Sequence, residues 1–329
     1  MVIQFIISFI ISLAVTVAAA LVLIPLLRRA KVGQSIQEDG PVWHSNKEGT
    51  PTMGGIVFIA GIIAACLIAG FNQMKEGNYT HIYIMLFAVI YALIGFLDDY
   101  EKLKKKQNLG LKAIQKFTLQ LVVAVVFIFI MQITGSLTTS VYIPFLNVTF
   151  EIHPILYYLF AAFVIVGTVN AVNITDGVDG LSSGVTIPVA VFFTVIAFLA
   201  KDPASGVMSA AITGGLVGFL IFNFYPAKVF MGDTGSLFLG GAVCALAFSM
   251  DMPLILVLVG FVYFIETLSV IIQVSYFKLT KGKRIFKMAP IHHHFEMCGW
   301  SEYKIFAVFT TVSSIFVLIA YLAVMKRFG

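Results

Sequence analysis

Apolar positions along this chain come in long blocks separated by short polar stretches. Ten blocks stand out, at 3–27, 54–71, 82–97, 117–133, 156–174, 182–200, 207–222, 236–249, 254–276 and 305–325. About 20 apolar residues suffice to carry a helix across the hydrocarbon of a bilayer, so the pattern predicts an all-α polytopic membrane protein with about ten transmembrane helices. Residues 1–329 read as a single integral membrane domain with small loops. Several blocks are short and Gly-rich, which points to closely packed or interrupted helices. The first lacks a basic leading region and is longer than the core of a signal peptide, so it is expected to be a true crossing. One interval departs from this pattern: in 134–155, Thr139, Val141 and Ile143, then Val148, Phe150 and Ile152, alternate around Pro144 to Asn147. That spacing predicts a small hairpin with a structural role.

Composition agrees. Sixty per cent of residues are AVILMFWYC, only 11% are charged, and the mean hydropathy is +0.99. A soluble domain has about 45–50% and about 25% respectively, so a water-soluble globule is excluded. A net charge of +5 and a pI near 9.0 would otherwise raise the question of nucleic acid. In a membrane protein the placement of the charges matters more. Ten crossings put loops alternately on two sides, and 17 of the 21 Lys and Arg fall in the loops 28–53, 98–116, 175–181, 223–235 and 277–304. The positive-inside bias assigns those loops to the cytoplasm and both termini to the outside, with the 134–155 hairpin extracytoplasmic. No nucleic-acid partner is expected; membrane lipids are. The three cysteines (Cys66, Cys244, Cys298) are scattered and form neither a disulfide framework nor a zinc spacing.

Eleven of the sixteen acidic residues fall in the loops assigned to the cytoplasm. Gly95-Phe96-Leu97-Asp98-Asp99-Tyr100 puts two carboxylates at the end of a crossing, Asn170 to Gly180 carries Asp176 and Asp179, and Phe230-Met231-Gly232-Asp233-Thr234-Gly235-Ser236 adds one before the eighth block. An isolated Asp at a helix end is ordinarily a solvated cap. Five together on one face, near lysines and glycines, are what a magnesium ion and a pyrophosphate-bearing substrate require. They point to phosphoryl transfer. Helical neighbours such as Asp98 and Asp99 diverge by about 100°, so a single metal taking both is not expected and two different jobs are. If that helix continues, Lys102 and Lys106 follow Asp98 on one face, where they could meet a phosphate or anionic lipid heads.

Ala289-Pro290-Ile291-His292-His293-His294-Phe295-Glu296 sets three histidines in the last loop of the cytoplasmic set. An extended stretch would turn His292 and His294 to one face and His293 to the other. Without a Cys partner or His-x₃-His spacing, zinc is poorly supported, and imidazole contacts to a phosphate or sugar fit better. Lys47-Glu48-Gly49-Thr50-Pro51-Thr52-Met53-Gly54-Gly55 offers ammonium, hydroxyl and backbone donors to an anion. Glu266, inside the ninth block, is a carboxylate near mid-membrane and is expected to face the bundle or a wet cavity. No Walker A, GxGxxG or nucleophile-elbow pattern is present.

In Gly49 to Gly55, Phe96 to Tyr100, Asn170 to Gly180, Phe230 to Ser236 and Pro290 to Glu296, the chain closely resembles the phospho-N-acetylmuramoyl-pentapeptide transferase family of bacterial cell-wall synthesis. These stretches span residues 49–296, and length and layout agree. The resemblance implies a membrane catalytic domain that moves phospho-MurNAc-pentapeptide from UDP-MurNAc-pentapeptide to undecaprenyl phosphate, giving lipid I and UMP, with Mg²⁺. It implies the bacterial plasma membrane with the active site on the cytoplasmic face, and leaves the oligomeric state open, a homodimer included. Carried over by position, Asp233 looks like the magnesium ligand, and Asp98, Asp99 and Asp233 the catalytic set. Asn173, Asp176 and Asp179 look like nucleotide-side residues, and Phe230 like the stacking partner of uracil. Lys47, His292 and His293 look like substrate contacts, and Thr52, Asn170 and His294 complete the substrate-binding set. The nearest rival is a transferase of GlcNAc-1-phosphate to a polyprenyl phosphate, against which the triple histidine weighs. A cation-coupled transporter would place its carboxylates mid-membrane instead of at one face.

Overall fold

The computed structural model describes residues 1–29, 49–105, 107, 109–134 and 138–328. In chain order the described elements are α1 (Val2–Arg29), α2 (Gly55–Ala69), α3 (Phe71–Lys75), α4 (Thr80–Lys105), α5 (Ala113–Ile133), β1 (Ser140–Ile143), β2 (Val148–Glu151), α6 (Pro154–Thr175), α7 (Leu181–Leu199), α8 (Pro203–Asn223), α9 (Gly232–Ser249), α10 (Leu256–Val259), α11 (Phe261–Leu279), α12 (Ile291–Glu296) and α13 (Glu302–Phe328). Each apolar block contains a helix. Nine of them are long and apolar enough to cross a membrane; α2, at 15 residues, is shorter. A helix satisfies its own backbone donors and acceptors, which is why apolar segments take this form in lipid.

Helix starts follow local chemistry. Pro154 and Pro203 open α6 and α8, where a missing N–H costs nothing, and Asp202 caps α8 by accepting from the Ser205 N–H at 3.1 Å. The ninth block is broken: a 3₁₀ turn (Pro253–Ile255) and α10 precede a bend at Gly260, and only then does α11 begin. The expected hairpin is present as an antiparallel pair, Val141 opposite Phe150 and Ile143 opposite Val148.

Burial sorts the helices into a centre and a perimeter. In their most apolar stretches, 83% of residues are buried in α9 against 22% in α1, α11 and α13. The outward residues of the perimeter are apolar, among them Ile3, Leu21, Phe129, Phe163, Ile271 and Leu318, as a lipid-facing surface requires. α9 packs against α4 and α6, and α8 against α1, α2 and α7. Small residues allow close approach: a Cβ on Gly95 of α4 would collide with the backbone of Asp233 and Thr234 in α9.

α9 is 18 residues long, about 27 Å, so its two ends lie on opposite faces of the bundle. Beyond its C-terminus, Asp251 meets Thr138 through its carboxylate (2.9 Å) and Arg327 through its carbonyl (3.0 Å), while Arg327 lies over the Tyr142 ring of the hairpin. Its N-terminus lies among the acidic motifs.

Candidate active site

α4 continues past its apolar block to Lys105, so Asp98 and Asp99 lie inside a helix, not at its end. Asp233, just ahead of the eighth block, lies in the first turn of α9. Because α4 continues, Lys102 lies one turn beyond Asp98. Its ammonium contacts Asp98 Oδ2 at 2.7 Å and donates to Asp233 Oδ2 at 2.9 Å, with Asp99 Oδ1 at 3.8 Å. From the first turn of α5, Lys116 donates to the same Asp233 oxygen at 2.6 Å and to Asn173 Oδ1 at 3.3 Å. The Asn173 amide donates to Asp233 Oδ1 at 2.9 Å and to Ser236 Oγ at 2.8 Å. Four helices, α4, α5, α6 and α9, thus bring carboxylate, ammonium and amide groups to one point.

The divergence of Asp98 and Asp99 does not keep them apart from a shared centre: one oxygen from each, with one from Asp233, lie within 4.8 Å of one another. Their surroundings differ, as expected. Asp99 accepts from the Asp233 N–H (3.1 Å), the Thr234 N–H (2.9 Å) and the Thr234 hydroxyl (2.7 Å), which makes it the cap of α9. Asp98 accepts from the Leu111 N–H at 3.0 Å and pairs with Lys102. Asp233 is held by two ammonium groups and an amide. Three carboxylates against two ammoniums leave the centre with one negative charge, before Asp176 is considered. Hard oxygen donors so grouped fit a divalent cation.

Asp176 follows α6 at the turn that leads into α7. Burial, with Asp233, Asp99 and Asp179 nearby, pushes its carboxyl up to about 8, against an opposing pull from Lys102. Asp179 is buried; its carboxylate accepts from the Ala227 N–H at 2.8 Å and its own N–H donates to Glu302 at 3.2 Å, tying the 224–231 loop to this turn. Phe230, half-buried in that loop, is fixed by backbone bonds to Pro51 and Gly54, and Thr52 is buried beside Gly232. Asn170 is turned to α5 and its own helix, its amide donating to Gln120 Oε1 (2.6 Å) and to the Val166 carbonyl (2.8 Å). Lys47 lies outside the described residues.

The histidines depart furthest from expectation. They form the short helix α12, not an extended stretch. His292, expected as a loop residue, is fully buried, and its Nδ1 lies 2.9 Å from Oε2 of the equally buried Glu266. His293 pairs with Glu296, and His294 Nδ1 accepts from the Lys287 N–H at 3.1 Å. The residue that sequence reasoning missed is Lys116. It stands just before an apolar block, and a lysine at a crossing's edge was the only available signal.

The chain matches the model described as glycosyl transferase family 4 over residues 81–251, and phospho-N-acetylmuramoyl-pentapeptide-transferase signature 1 over residues 47–59. It is similar to curated proteins named phospho-N-acetylmuramoyl-pentapeptide-transferase. The protein from Clostridium acetobutylicum is 49% identical over 91% of this chain and 92% of its own length. That from Heliobacterium modesticaldum is 48% identical over 89% of both chains, and that from Oceanobacillus iheyensis 45% over 93% of both.

Proposed function

The chain belongs to the phospho-N-acetylmuramoyl-pentapeptide-transferase family, and from that premise we propose how its residues carry the reaction. The donor is UDP-MurNAc-pentapeptide and the acceptor undecaprenyl phosphate. An oxygen of the lipid phosphate attacks the β-phosphorus of the donor, the bond from that phosphorus to the bridging oxygen breaks, and UMP leaves with the bridging oxygen and the electron pair. The product is lipid I. The observation that carries this reading is the meeting of Asp98, Asp233, Lys102, Lys116 and Asn173, brought together by four helices.

Phosphoryl transfer asks the protein mainly to position groups and neutralise charge. Lys102 and Lys116 supply positive charge to the diphosphate, and Asp98 holds or deprotonates the lipid phosphate. Asp99 keeps α9 docked so that Asp233 stays in place. Mg²⁺, when bound, would be held by Asp233 with Asp98 and would supply charge neutralisation to the phosphates. On the nucleotide side, Asp176 and Asp179 flank the turn and Phe230 stacks on uracil, while Lys47, Thr52, Asn170, His292, His293 and His294 complete the donor environment. The acidic cluster faces the cytoplasm of a bacterial plasma membrane and both termini lie outside, a reading supported by the 17 basic residues in the loops of that side. A homodimer is compatible with the apolar perimeter.

The test is UMP release by the purified protein with undecaprenyl phosphate, Mg²⁺ and either UDP-MurNAc-pentapeptide or UDP-GlcNAc. The muramoyl donor is expected to turn over and UDP-GlcNAc far less. Equal turnover would reduce the protein to a general sugar-phosphate transferase, and no UMP from either would refute the reading.

A further inference from the structure

Glu266 lies in α11 with no exposure to solvent, among residues that otherwise read as a lipid-embedded helix. Burying a carboxylate and an imidazole together is costly, and apolar side chains in their place often leave a protein no less stable. The pair is therefore better explained by what it holds than by stability, as intramembrane ionisable residues commonly are. Its geometry shows what it holds. Glu266 engages His292 through Nδ1 at 2.9 Å, which fixes the ring and leaves Nε2 on the opposite edge. That edge lies against Gly177: a Cβ there would collide with His292 Nε2 and Cε1, so only glycine admits the ring. Gly177 follows Asp176 and stands four residues after Asn173, which holds Asp233. Among the described residues neither His292 Nε2 nor Glu266 Oε1 has a hydrogen-bond partner, so Glu266 makes the ring's one hydrogen bond, alongside its packing on Gly177 and on the His293 ring.

We propose that Glu266 is a positioning residue for the nucleotide donor: by locking His292 against Gly177 it seats the turn that carries Asp176. This rests on the transferase reading above. It also joins α11 and α12 to the nucleotide side, leaving the acceptor side, around Asp98, to α4.

The experiment measures KM separately for UDP-MurNAc-pentapeptide and for undecaprenyl phosphate in Glu266→Leu, Glu266→Gln and Gly177→Ala. Glu266→Leu is expected to raise the donor KM at least about tenfold and leave the acceptor KM within about twofold. Glu266→Gln, whose amide oxygen still accepts from the Nδ1–H, should stay within about threefold of wild type. Gly177→Ala, which displaces the ring from its other edge, should reproduce the donor-selective loss, and it carries the test alone if Glu266→Leu fails to fold. An unchanged donor KM in Glu266→Leu, equal shifts in both KM values, or a Gln variant as impaired as Leu would overturn the proposal. UMP release by the wild-type protein in the same assay separates that outcome from failure of the transferase reading.

Discussion

Asp98 and Asp99 share a side chain and adjoin in sequence, yet their partners assign them different work. Asp99→Ala removes three hydrogen bonds from the start of α9. Loss of a helix cap costs about 1–2 kcal/mol, so the apparent Tm in detergent should fall together with activity. Asp98→Asn should leave that Tm nearly unchanged and lower kcat by about 10²–10⁴, the contribution of a positioned catalytic group. A phosphate monoester loses its second proton near pH 6, so positioning outweighs proton removal at neutral pH, and the Asp98→Asn defect should stay constant from about pH 7 to 9. A defect that fades at high pH would assign Asp98 the proton instead. Asp176 gives a second measurement. Its carboxyl, raised from 3.8 to about 8, keeps in the folded state a proton that the unfolded chain releases. Its contribution is full below about pH 4 and is lost as pH rises through about 8, with a slope of up to about 1.4 kcal/mol per pH unit. Asp176→Asn should therefore gain stability relative to wild type between pH 5 and 8, read as a widening Tm difference. A constant difference would contradict it.

The helices themselves were legible because hydropathy alone selects segments that cross hydrocarbon, and the 134–155 hairpin because its alternation is local. What hydropathy does not report is where a helix stops once it reaches water. α4 runs on to Lys105, where Lys105 pairs with Glu101 at 2.7 Å, and that extension brings Lys102 onto Asp98 and Asp233. Lys116 and the burial of His292 were illegible for another reason: each depends on a partner far away in sequence, Asp233 for one and Glu266 for the other. Packing between α4 and α9 offers a direct check. Gly95→Ala would press a methyl group into the backbone of Asp233, and overpacking of this kind costs about 1–3 kcal/mol while moving Asp233 off its lysines. Gly167→Ala in α6, whose Cβ would meet open space, should instead stabilise by about 0.5–1 kcal/mol at unchanged activity. Equal Tm shifts from the two would contradict the close approach of α4 and α9.

The bundle separates two faces by the length of α9. One gathers the carboxylates, lysines and histidines; the other gathers the hairpin, Asp251 and Arg327. In a Cys-free background, Lys105→Cys should react with an impermeant reagent only when the cytoplasmic face is open, and Thr139→Cys from outside; reversed labelling would invert the orientation. The chemistry itself is decided by where the donor's β-phosphate goes, because transfer of sugar alone and transfer of phospho-sugar divide the same donor at different bonds. With UDP-MurNAc-pentapeptide labelled in the β-phosphate with ³²P, undecaprenyl phosphate and Mg²⁺, the label is expected in the lipid fraction, with unlabelled UMP released to water. Label retained in the aqueous phase as UDP would contradict the attack on the β-phosphorus and the site built around Asp98 and Asp233.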